Sequence, residues 1–327
     1  MGVFERSAQA FWVTGPGAGE IRSEPLAEPR TNEVLVQNLY GGVSRGTEAL
    51  VFQGRVPASE HARMRCPHQA GEFPWPVKYG YSSVGRVLEG PAELRDALVF
   101  CLHPHQTAFV VRAETVVVLP GGVPAERAVL AANLETALNA LWDARPLVGD
   151  RISVVGAGVV GLLCAYLART IAASDVELVD VRPERDATAR ALGVRFATPG
   201  AASGERDLVF HASGSEDGLR TALTLAATEA SIVELSWFGD RGVSLGLGQD
   251  FHVKRLTLRS SQVGRLSPHA RARQSQRSRL ELALAICRDA TLDALIDAES
   301  AFSALPRTMP KVLSGDSGTL CHRIRYD

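Results

Sequence analysis

The stretch that decides the fold is Arg151–Asp180, RISVVGAGVVGLLCAYLARTIAASDVELVD. It opens with an apolar, β-branched run at residues 152–155, which predicts a buried parallel strand. Three glycines in G-x-G-x-x-G order come next, an apolar helical pattern follows over residues 162–168, and a second strand is predicted over residues 176–179. That strand ends at Asp180, about 20 residues past the last glycine, as in dinucleotide-binding βαβ units.

The glycines and the helix start each have a physical role in holding a dinucleotide. Gly156 permits a tight turn, Gly158 lets the backbone approach a pyrophosphate, and Gly161 lets the helix pack closely on the strand. The helix N-terminus, at Val159 and Val160, offers N–H groups and a partial positive charge to phosphates. We therefore expect a dinucleotide site here.

Asp180 bears on which dinucleotide binds. Its carboxylate is expected to accept hydrogen bonds from the adenosine ribose hydroxyls and to repel a 2′-phosphate, which favours NAD. Arg182 and Arg185 follow it and leave NADP as the lesser alternative, with Arg185 a candidate cofactor-binding residue. A membrane span is the competing interpretation of residues 152–168, but this run is shorter than the ~20 residues that a span needs.

Composition excludes several classes of protein. The chain has 327 residues, of which 46% are hydrophobic and 22% charged, and this is typical of a globular protein large enough for two domains. A net charge of −1 gives no reason to expect nucleic acid or a membrane as partner. Five cysteines without a C-x-x-C pair suggest neither a disulfide framework nor a structural zinc loop. With no signal peptide at the N-terminus, we expect a cytoplasmic protein.

Strand and helix patterns divide the chain into regions of different texture. Before residue 125, short strands between Pro and Gly turns predict an antiparallel β-domain, with strands at residues 10–13, 33–37, 85–88, 98–102, 108–111 and 116–119. Beyond it, strands at residues 207–210 and 231–235 alternate with a helix at 218–227, which predicts a doubly wound parallel sheet. A basic segment, residues 264–280, is expected to be a solvated helix start. A strand is predicted at residues 321–326.

Three further segments resemble the medium-chain dehydrogenases/reductases. Residues 207–214, DLVFHASG, are similar to the family's strand before the nicotinamide loop. Residues 80–87, GYSSVGRV, are similar to its G-H-E-x-x-G-x-V segment, and residues 42–48, GVSRGTE, to its G-x-C-x-[ST]-D segment. The resemblance covers essentially the whole chain. It implies an α/β protein with a GroES-like β-rich catalytic domain at residues 1–124, a Rossmann doubly wound parallel-sheet domain at 125–288, and a return to the catalytic domain at 289–327.

The zinc ligands of the family are replaced. Ser44 and Tyr81 stand where zinc-dependent members have Cys and His, and hydroxyl groups are poor ligands for this ion. The family's glutamate ligand corresponds to Glu135, and its four-cysteine loop is missing. We expect no zinc and no other bound metal. One alternative stays open, an unorthodox metal site built from residues of the first domain: His61, Cys66, His68, Cys101, His103 and His105.

The resemblance also supplies candidates for catalysis. By position, Ser44 and Tyr81 face the place of the missing metal and are expected to hydrogen-bond the substrate oxygen. Thr47 matches the family's proton-relay residue, and Glu135 is expected to take the proton onward or to orient Tyr81. An unperturbed phenol titrates near ~10, so Tyr81 needs a nearby cation to act as a base, and Lys78 is the candidate.

For the cofactor, the resemblance implies that Arg45 binds the pyrophosphate and that Ser213 and Gly214 border the nicotinamide ribose. SRGTE and GYSSVG look most like the branch that contains 2-desacetyl-2-hydroxyethyl bacteriochlorophyllide dehydrogenase. This implies NAD-dependent conversion of a secondary alcohol and a ketone on a bulky small-molecule substrate. The alternatives are a zinc-free quinone or enoyl reductase and a non-catalytic NAD(P)-binding protein. The family also implies a homodimer, for which residues 243–247 are the candidate edge strand.

Overall fold

The computed structural model describes residues 6–326 of the chain. It divides into two compact units, Met1–Ala132 with Leu280–Asp327, and Asn133–Arg279. The elements of the N-terminal part of the first unit are β1 (Ser7–Gly15), β2 (Ala18–Pro25), β3 (Glu33–Val43), α1 (Arg45–Phe52), β4 (Ala70–Gly71), β5 (Val77–Lys78), β6 (Ser83–Glu89), β7 (Leu98–Cys101), β8 (Ala108–Arg112), β9 (Val117–Val118) and α2 (Ala125–Ala128).

Strands and helices alternate in the second unit. Its first helix, α3, begins two residues before the unit does, and its last helix, α7, ends after it. Its elements are α3 (Ala131–Ala144), β10 (Arg151–Val155), α4 (Val159–Ala168), β11 (Asp175–Val179), α5 (Arg185–Ala191), β12 (Arg195–Ala197), β13 (Arg206–His211), α6 (Glu216–Leu225), β14 (Ala226–Glu234), β15 (Thr257–Ser260) and α7 (Gln276–Ile286). The chain then returns to the first unit with β16 (Ile296–Ala301), α8 (Leu305–Val312) and β17 (Cys321–Arg325).

The sheet of the second unit is parallel throughout, in the order β12-β11-β10-β13-β14-β15. This is the strand order of a Rossmann fold, and it confirms the doubly wound prediction. The apolar runs noticed in the sequence lie at its centre, where Ile152, Val154, Leu178 and Phe210 are fully buried. Strands covered on both faces need such runs because neither face meets water.

The first unit contains two sheets. One has the order β2-β1-β5-β4, and the other has the order β16-β17-β3-β6-β7-β9, with β8 also paired to β3. Except for the parallel pair β16–β17, the ladders are antiparallel, which confirms the β-rich, GroES-like prediction. β17 lies beside β3, with His322 opposite Val43 and Arg325 opposite Tyr40.

Two local expectations are wrong. Residues 243–246 form no strand. Among the described residues, β15 is the last strand at that edge of the parallel sheet, next to β14. Val243 and Leu245 instead pack, partly buried, against the apolar core of the second unit, which explains why they are apolar. The basic segment is not wholly solvated either, because Arg279 is 3% exposed.

Other features agree with the composition. All five cysteines are buried and carry free thiols. Burial raises the pKa of the Cys66 and Cys101 thiols to about 12, so they are protonated at neutral pH. Within residues 6–326, no helix combines the length and the apolar character needed to cross a bilayer.

Candidate active site

The glycine loop between β10 and α4 has the geometry that close packing demands. Gly156 has φ +110°, and a Cβ there would lie 2.5 Å from the backbone nitrogen of Ser213. A Cβ on Gly161 would lie 1.8 Å from the carbonyl oxygen of Gly156, so only glycine lets α4 approach the turn this closely. Gly158 differs from both, because a Cβ there would meet no atom within 4 Å. Open space at this glycine is what an approaching ligand needs.

The N-terminus of α4 faces this open space without a side-chain cap among the described residues. Val159 and Val160 begin the helix and are half-buried. The amide N–H groups of the first helical turn have no intrahelical acceptor, and they favour an anion. The turn therefore fits the pyrophosphate of a dinucleotide.

Asp180 follows β11 and holds the glycine loop. Its Oδ2 accepts a hydrogen bond from the Ala157 N–H at 2.6 Å, and its Oδ1 accepts one from the Arg182 N–H at 2.9 Å. The carboxylate is half-buried, so it also reaches solvent beside the loop. A carboxylate placed here can accept bonds from ribose hydroxyls, which completes the fit to NAD(P).

The two arginines predicted to touch the cofactor are placed differently. Arg185 is buried at the first position of α5. The Arg45 guanidinium, in the first unit, donates to the carbonyl oxygens of Val312 at 2.8 Å and Ser314 at 2.9 Å. These bonds tie α1 to the end of α8 and to the residues that follow it.

Ser213 and Gly214 lie in the loop after β13. Gly214 has φ +64°, and its N–H donates to the Ser236 hydroxyl at 3.0 Å. The Ser213 hydroxyl is exposed, and its oxygen lies 2.6 Å from Nε2 of His211. Hydrogen bonds thus hold this loop at Ser213, through His211, and at Gly214, through Ser236.

In the first unit, the structure brings Ser44, Thr47 and Tyr81 together. Ser44 immediately precedes α1, and Thr47 lies in the first turn of that helix. The phenol of Tyr81 forms hydrogen bonds with the Ser44 and Thr47 side chains. The three residues are half-buried as whole residues, and their hydroxyl groups form one polar cluster around the buried phenol of Tyr81.

A buried carboxylate–imidazole pair lies beside this cluster. Oε2 of Glu48 is 2.9 Å from Nε2 of His105, and the two residues are 4% and 0% exposed. Oε1 of Glu48 accepts a hydrogen bond from the Ser44 N–H at 2.8 Å. Gly80, with φ +123°, leaves room for the imidazole, because a Cβ there would lie 2.9 Å from the ring. The sequence did not suggest this pair, since 57 positions separate the two residues.

The surroundings of Tyr81 keep it protonated. Burial raises the pKa of the Tyr81 phenol above its ordinary value of 10, and the charge of Glu48 raises it further, while the bonds with Ser44 and Thr47 oppose the shift. The hypothesis that Lys78 lowers this pKa is wrong, because the Lys78 ammonium donates to Glu24 at 2.6 Å and to a Gln106 side chain at 2.7 Å. At neutral pH Tyr81 is therefore a hydrogen-bond donor rather than a base.

Glu135 lies in the second unit, on α3, as part of a buried ion pair. Its Oε1 accepts a hydrogen bond from Nε of Arg279 at 3.1 Å, and the same guanidinium donates to the Asn139 side chain at 2.7 Å. Burial raises the pKa of the Glu135 carboxyl, and the charge of Arg279 opposes that shift. The ionic partner of this carboxylate is thus Arg279.

The donor set does not fit zinc. At the family's ligand positions this chain offers the hydroxyls of Ser44 and Tyr81 and a carboxylate already paired with an arginine. The alternative site also lacks support, because among the described residues no three His, Cys, Asp or Glu side chains lie close enough to hold a metal ion. His103, for example, stacks on Phe109 with ring centroids 3.8 Å apart.

Known proteins similar to this chain are dehydrogenases. No protein-family profile matches it. It is 24% identical over 250 residues to the D-guloside 3-dehydrogenase of Escherichia coli (strain K12), covering 68% of this chain and 71% of the relative. It is 25% identical over 265 residues to the (R,R)-butanediol dehydrogenase of Bacillus subtilis (strain 168), covering 66% of this chain and 75% of the relative.

Solved structures of dehydrogenases superpose on nearly the whole chain. The L-idonate 5-dehydrogenase of Escherichia coli K-12 MG1655 has a TM-score of 0.79 at 16% identity and covers 98% of this chain and 99% of its own. An alcohol dehydrogenase of Escherichia coli CFT073 complexed with NADH has a TM-score of 0.76 at 16% identity, with 98% and 99% covered. The chain therefore has the fold of the medium-chain dehydrogenases.

Proposed function

We propose that the chain is an NAD(H)-dependent oxidoreductase that interconverts a secondary alcohol and a ketone on a bulky, partly apolar substrate, without a catalytic zinc ion. The observation that carries this proposal is the cluster of Ser44, Thr47 and Tyr81 beside the buried Glu48–His105 pair. Hydroxyl groups there supply the hydrogen bonds to a substrate oxygen that a metal ion supplies in zinc enzymes. NAD, when bound, supplies the hydride acceptor.

The cofactor would be held by the second unit. The turn at Gly156–Gly161 and the first residues of α4 receive the pyrophosphate, and Asp180 receives the ribose hydroxyls. The negative charge of Asp180 supports a preference for NAD over NADP. The loop of Ser213 and Gly214 borders the nicotinamide ribose in this arrangement.

Tyr81 acts on the substrate oxygen. Because its phenol stays protonated, it donates a hydrogen bond to a carbonyl oxygen and stabilises the alkoxide that develops when hydride leaves or arrives. Ser44 and Thr47 fix the phenol and complete the path for the hydroxyl proton.

The group that accepts this proton is His105 rather than Glu135. Nε2 of His105 faces the Glu48 carboxylate and therefore carries the hydrogen of that bond, which leaves Nδ1 as the basic nitrogen. Nδ1 is buried and has no hydrogen-bond partner among the described residues, so a bridging water molecule would carry the proton to it from the hydroxyl cluster. Glu48 orients the imidazole and stabilises the imidazolium that forms.

The same substitution at two carboxylates tests this assignment. Glu48→Gln is expected to lower kcat for alcohol oxidation by about 100-fold, the usual contribution of general acid–base catalysis. Glu135→Gln removes the ionic partner of Arg279, so it is expected to lower the unfolding free energy while leaving kcat near the wild-type value. A large loss of kcat in Glu135→Gln, with Glu48→Gln near wild type, would return the proton-accepting role to Glu135.

Metal content and cofactor preference test the proposal as a whole. We expect mass spectrometry of purified protein to find metal well below one ion per chain, and fluorescence titration to find tighter binding of NADH than of NADPH. One tightly held zinc ion per chain would overturn the hydroxyl-based site. Tyr81→Phe distinguishes an enzyme from a non-catalytic NAD(P)-binding protein, because only an enzyme loses turnover.

The substrate class is supported by two features. Phe73, Tyr79 and Tyr81 form a row of aromatic rings, with centroid distances of 5.8 and 6.0 Å, in which the buried Phe73 and Tyr79 place apolar surface behind the hydroxyl cluster. SRGTE and GYSSVG are also similar to the branch that acts on a bacteriochlorophyllide. As assembly we propose a homodimer that forms through the edge of β15 that no strand of residues 6–326 covers, in place of the expected strand.

A further inference from the structure

A second polar chain of residues lies in the second unit, where β13 and β14 end. His211, the last residue of β13, is fully buried. Its Nδ1 lies 2.6 Å from Oε2 of Glu234, and its Nε2 lies 2.6 Å from Oγ of Ser213. A carboxylate accepts, so Nδ1 carries the ring hydrogen and Nε2 is left to accept the hydrogen of the Ser213 hydroxyl.

The surrounding bonds fix each member of this chain. Glu234 is opposite His211 in the sheet register, and its Oε1 accepts the Ser236 N–H at 2.7 Å. The Ser213 oxygen accepts the Ser215 N–H at 3.2 Å and lies 2.9 Å from the Ser215 hydroxyl. Because Nε2 can only accept in this tautomer, the Ser213 hydroxyl directs its hydrogen at the imidazole.

The arrangement satisfies the geometric criteria for an activated nucleophile. Such a nucleophile lies within hydrogen-bond reach of a base, and a third group orients the base. Ser213 is exposed, whereas the base behind it is fully buried. Gly218 keeps the space beside the nucleophile open, because a Cβ there would lie 2.1 Å from the Ser213 oxygen.

The neighbourhood also suits a polarised, partly apolar reactant. The ring of Phe238 stacks on His211 with centroids 6.2 Å apart, and it is half-buried. The Arg241 guanidinium donates to the carbonyl oxygen of Gly214 at 2.8 Å, which places a cation at the loop. The acidic side chains of Glu216 and Asp217 are both paired with Arg220, so their repulsion of a developing oxyanion is reduced.

We propose that Ser213, His211 and Glu234 form a nucleophilic serine site that takes acyl groups from small esters, an activity separate from hydride transfer. The Ser213 oxygen bonds to the acyl carbon while its proton moves to Nε2 of His211. The bond between the acyl carbon and the alcohol oxygen then breaks, and the departing alcohol takes that proton. Water hydrolyses the resulting serine ester by the same route and releases the carboxylic acid.

The test uses a fluorophosphonate, which reacts with activated serines through loss of fluoride. With the purified full-length chain we expect one adduct per chain by intact mass, located at Ser213 by peptide mass spectrometry. Ser213→Ala, an exposed position, is expected to abolish the adduct without unfolding the protein. Glu234→Gln is expected to slow labelling by at least about 100-fold, because the imidazole loses the carboxylate that fixes its tautomer.

Ser215→Ala is the matched control. Ser215 lies two residues away, is also exposed, and caps α6 through the Gly218 N–H, but it does not touch the imidazole. This variant is expected to keep most of the reactivity, and its adduct should again map to Ser213. Labelling of wild type no faster than that of Ser213→Ala, or an adduct at another serine, would overturn the proposal.

Discussion

Two glycines of the same turn are expected to respond in opposite ways to the same substitution. Gly161→Ala adds a methyl group whose carbon would lie 1.8 Å from the Gly156 carbonyl oxygen. Non-bonded carbon and oxygen need about 3.3 Å, so α4 would have to move by roughly 1.5 Å, and interiors packed like crystals resist such shifts. We expect a loss of about 3 kcal/mol of unfolding free energy, the upper part of the usual range for overpacking. For a unit of this size that corresponds to a melting temperature lower by about 10 °C.

Gly158→Ala is the matched control for stability and the test for binding. Gly158 has φ −76° and ψ 175°, which any residue adopts, and its Cβ would meet no atom within 4 Å. We expect its unfolding free energy to stay within about 0.5 kcal/mol of wild type. The methyl group would occupy the space into which the pyrophosphate comes, so the Kd for NADH is expected to rise at least about tenfold, or 1.4 kcal/mol.

Differential scanning calorimetry on both variants tests the predicted change in melting temperature, and fluorescence titration tests the predicted change in the Kd for NADH. We expect Gly158→Ala to melt like wild type and yet to bind NADH poorly. If Gly158→Ala bound NADH as wild type does, the open space at this glycine would not be the pyrophosphate site. If Gly161→Ala melted like wild type, α4 would be able to move away from the Gly156 carbonyl oxygen at little cost, and the close packing would not require glycine.

Two further predictions concern pH and cofactor choice. Burial lowers the pKa of His103 from 6.5 to about 3. Below pH 6.5 the unfolded chain therefore binds a proton that the folded protein does not, and the unfolding free energy decreases as the pH falls towards 3. Between pH 6.5 and pH 5 the expected decrease is about 2 kcal/mol. Urea denaturation at both pH values should show this difference in wild type and a smaller one in His103→Gln, and equal slopes in the two proteins would contradict the assignment. Asp180→Asn removes the charge that repels a 2′-phosphate, so the ratio of NADPH to NADH affinity should rise by about tenfold. An unchanged ratio in paired titrations would mean that another group sets the preference.

The parts of the fold that could be predicted are those encoded locally. The apolar run of β10, the glycines after it and Asp180 fall within one stretch, and each has a physical requirement that only a few residue types meet. β2 escaped prediction because its sequence, AGEIRSEP, gives no apolar alternation, and none of its residues is fully buried. Among the residues that the structure describes, its ladder partner is β1. Residues 243–247 were wrongly predicted as a strand because they are apolar. Val243 and Leu245 pack against the core of the second unit without pairing in a sheet.

The site was harder to predict because its bonds join distant positions. Ser44 and Tyr81 were named from the resemblance, and the structure brings them together with Thr47, although their roles stay predictions. Glu48 was visible in the same motif, but nothing local shows that it meets His105. Glu135 was named as a catalytic candidate, but its ion pair with Arg279 could not be foreseen because 144 positions separate the two residues. A pattern of residue types cannot show which cation or imidazole a carboxylate reaches.

The position of β17 beside β3 imposes an order on biosynthesis. On the ribosome, β3 emerges early, whereas its neighbour β17 is made only after the whole of Asn133–Arg279. The second unit is one continuous segment and can fold as it leaves the exit tunnel, as domains commonly do. Until β17 arrives, one edge of β3 keeps unpaired N–H and carbonyl groups, which are a template for aggregation. We therefore expect a nascent chain stalled before residue 321 to aggregate more readily than one that carries β17.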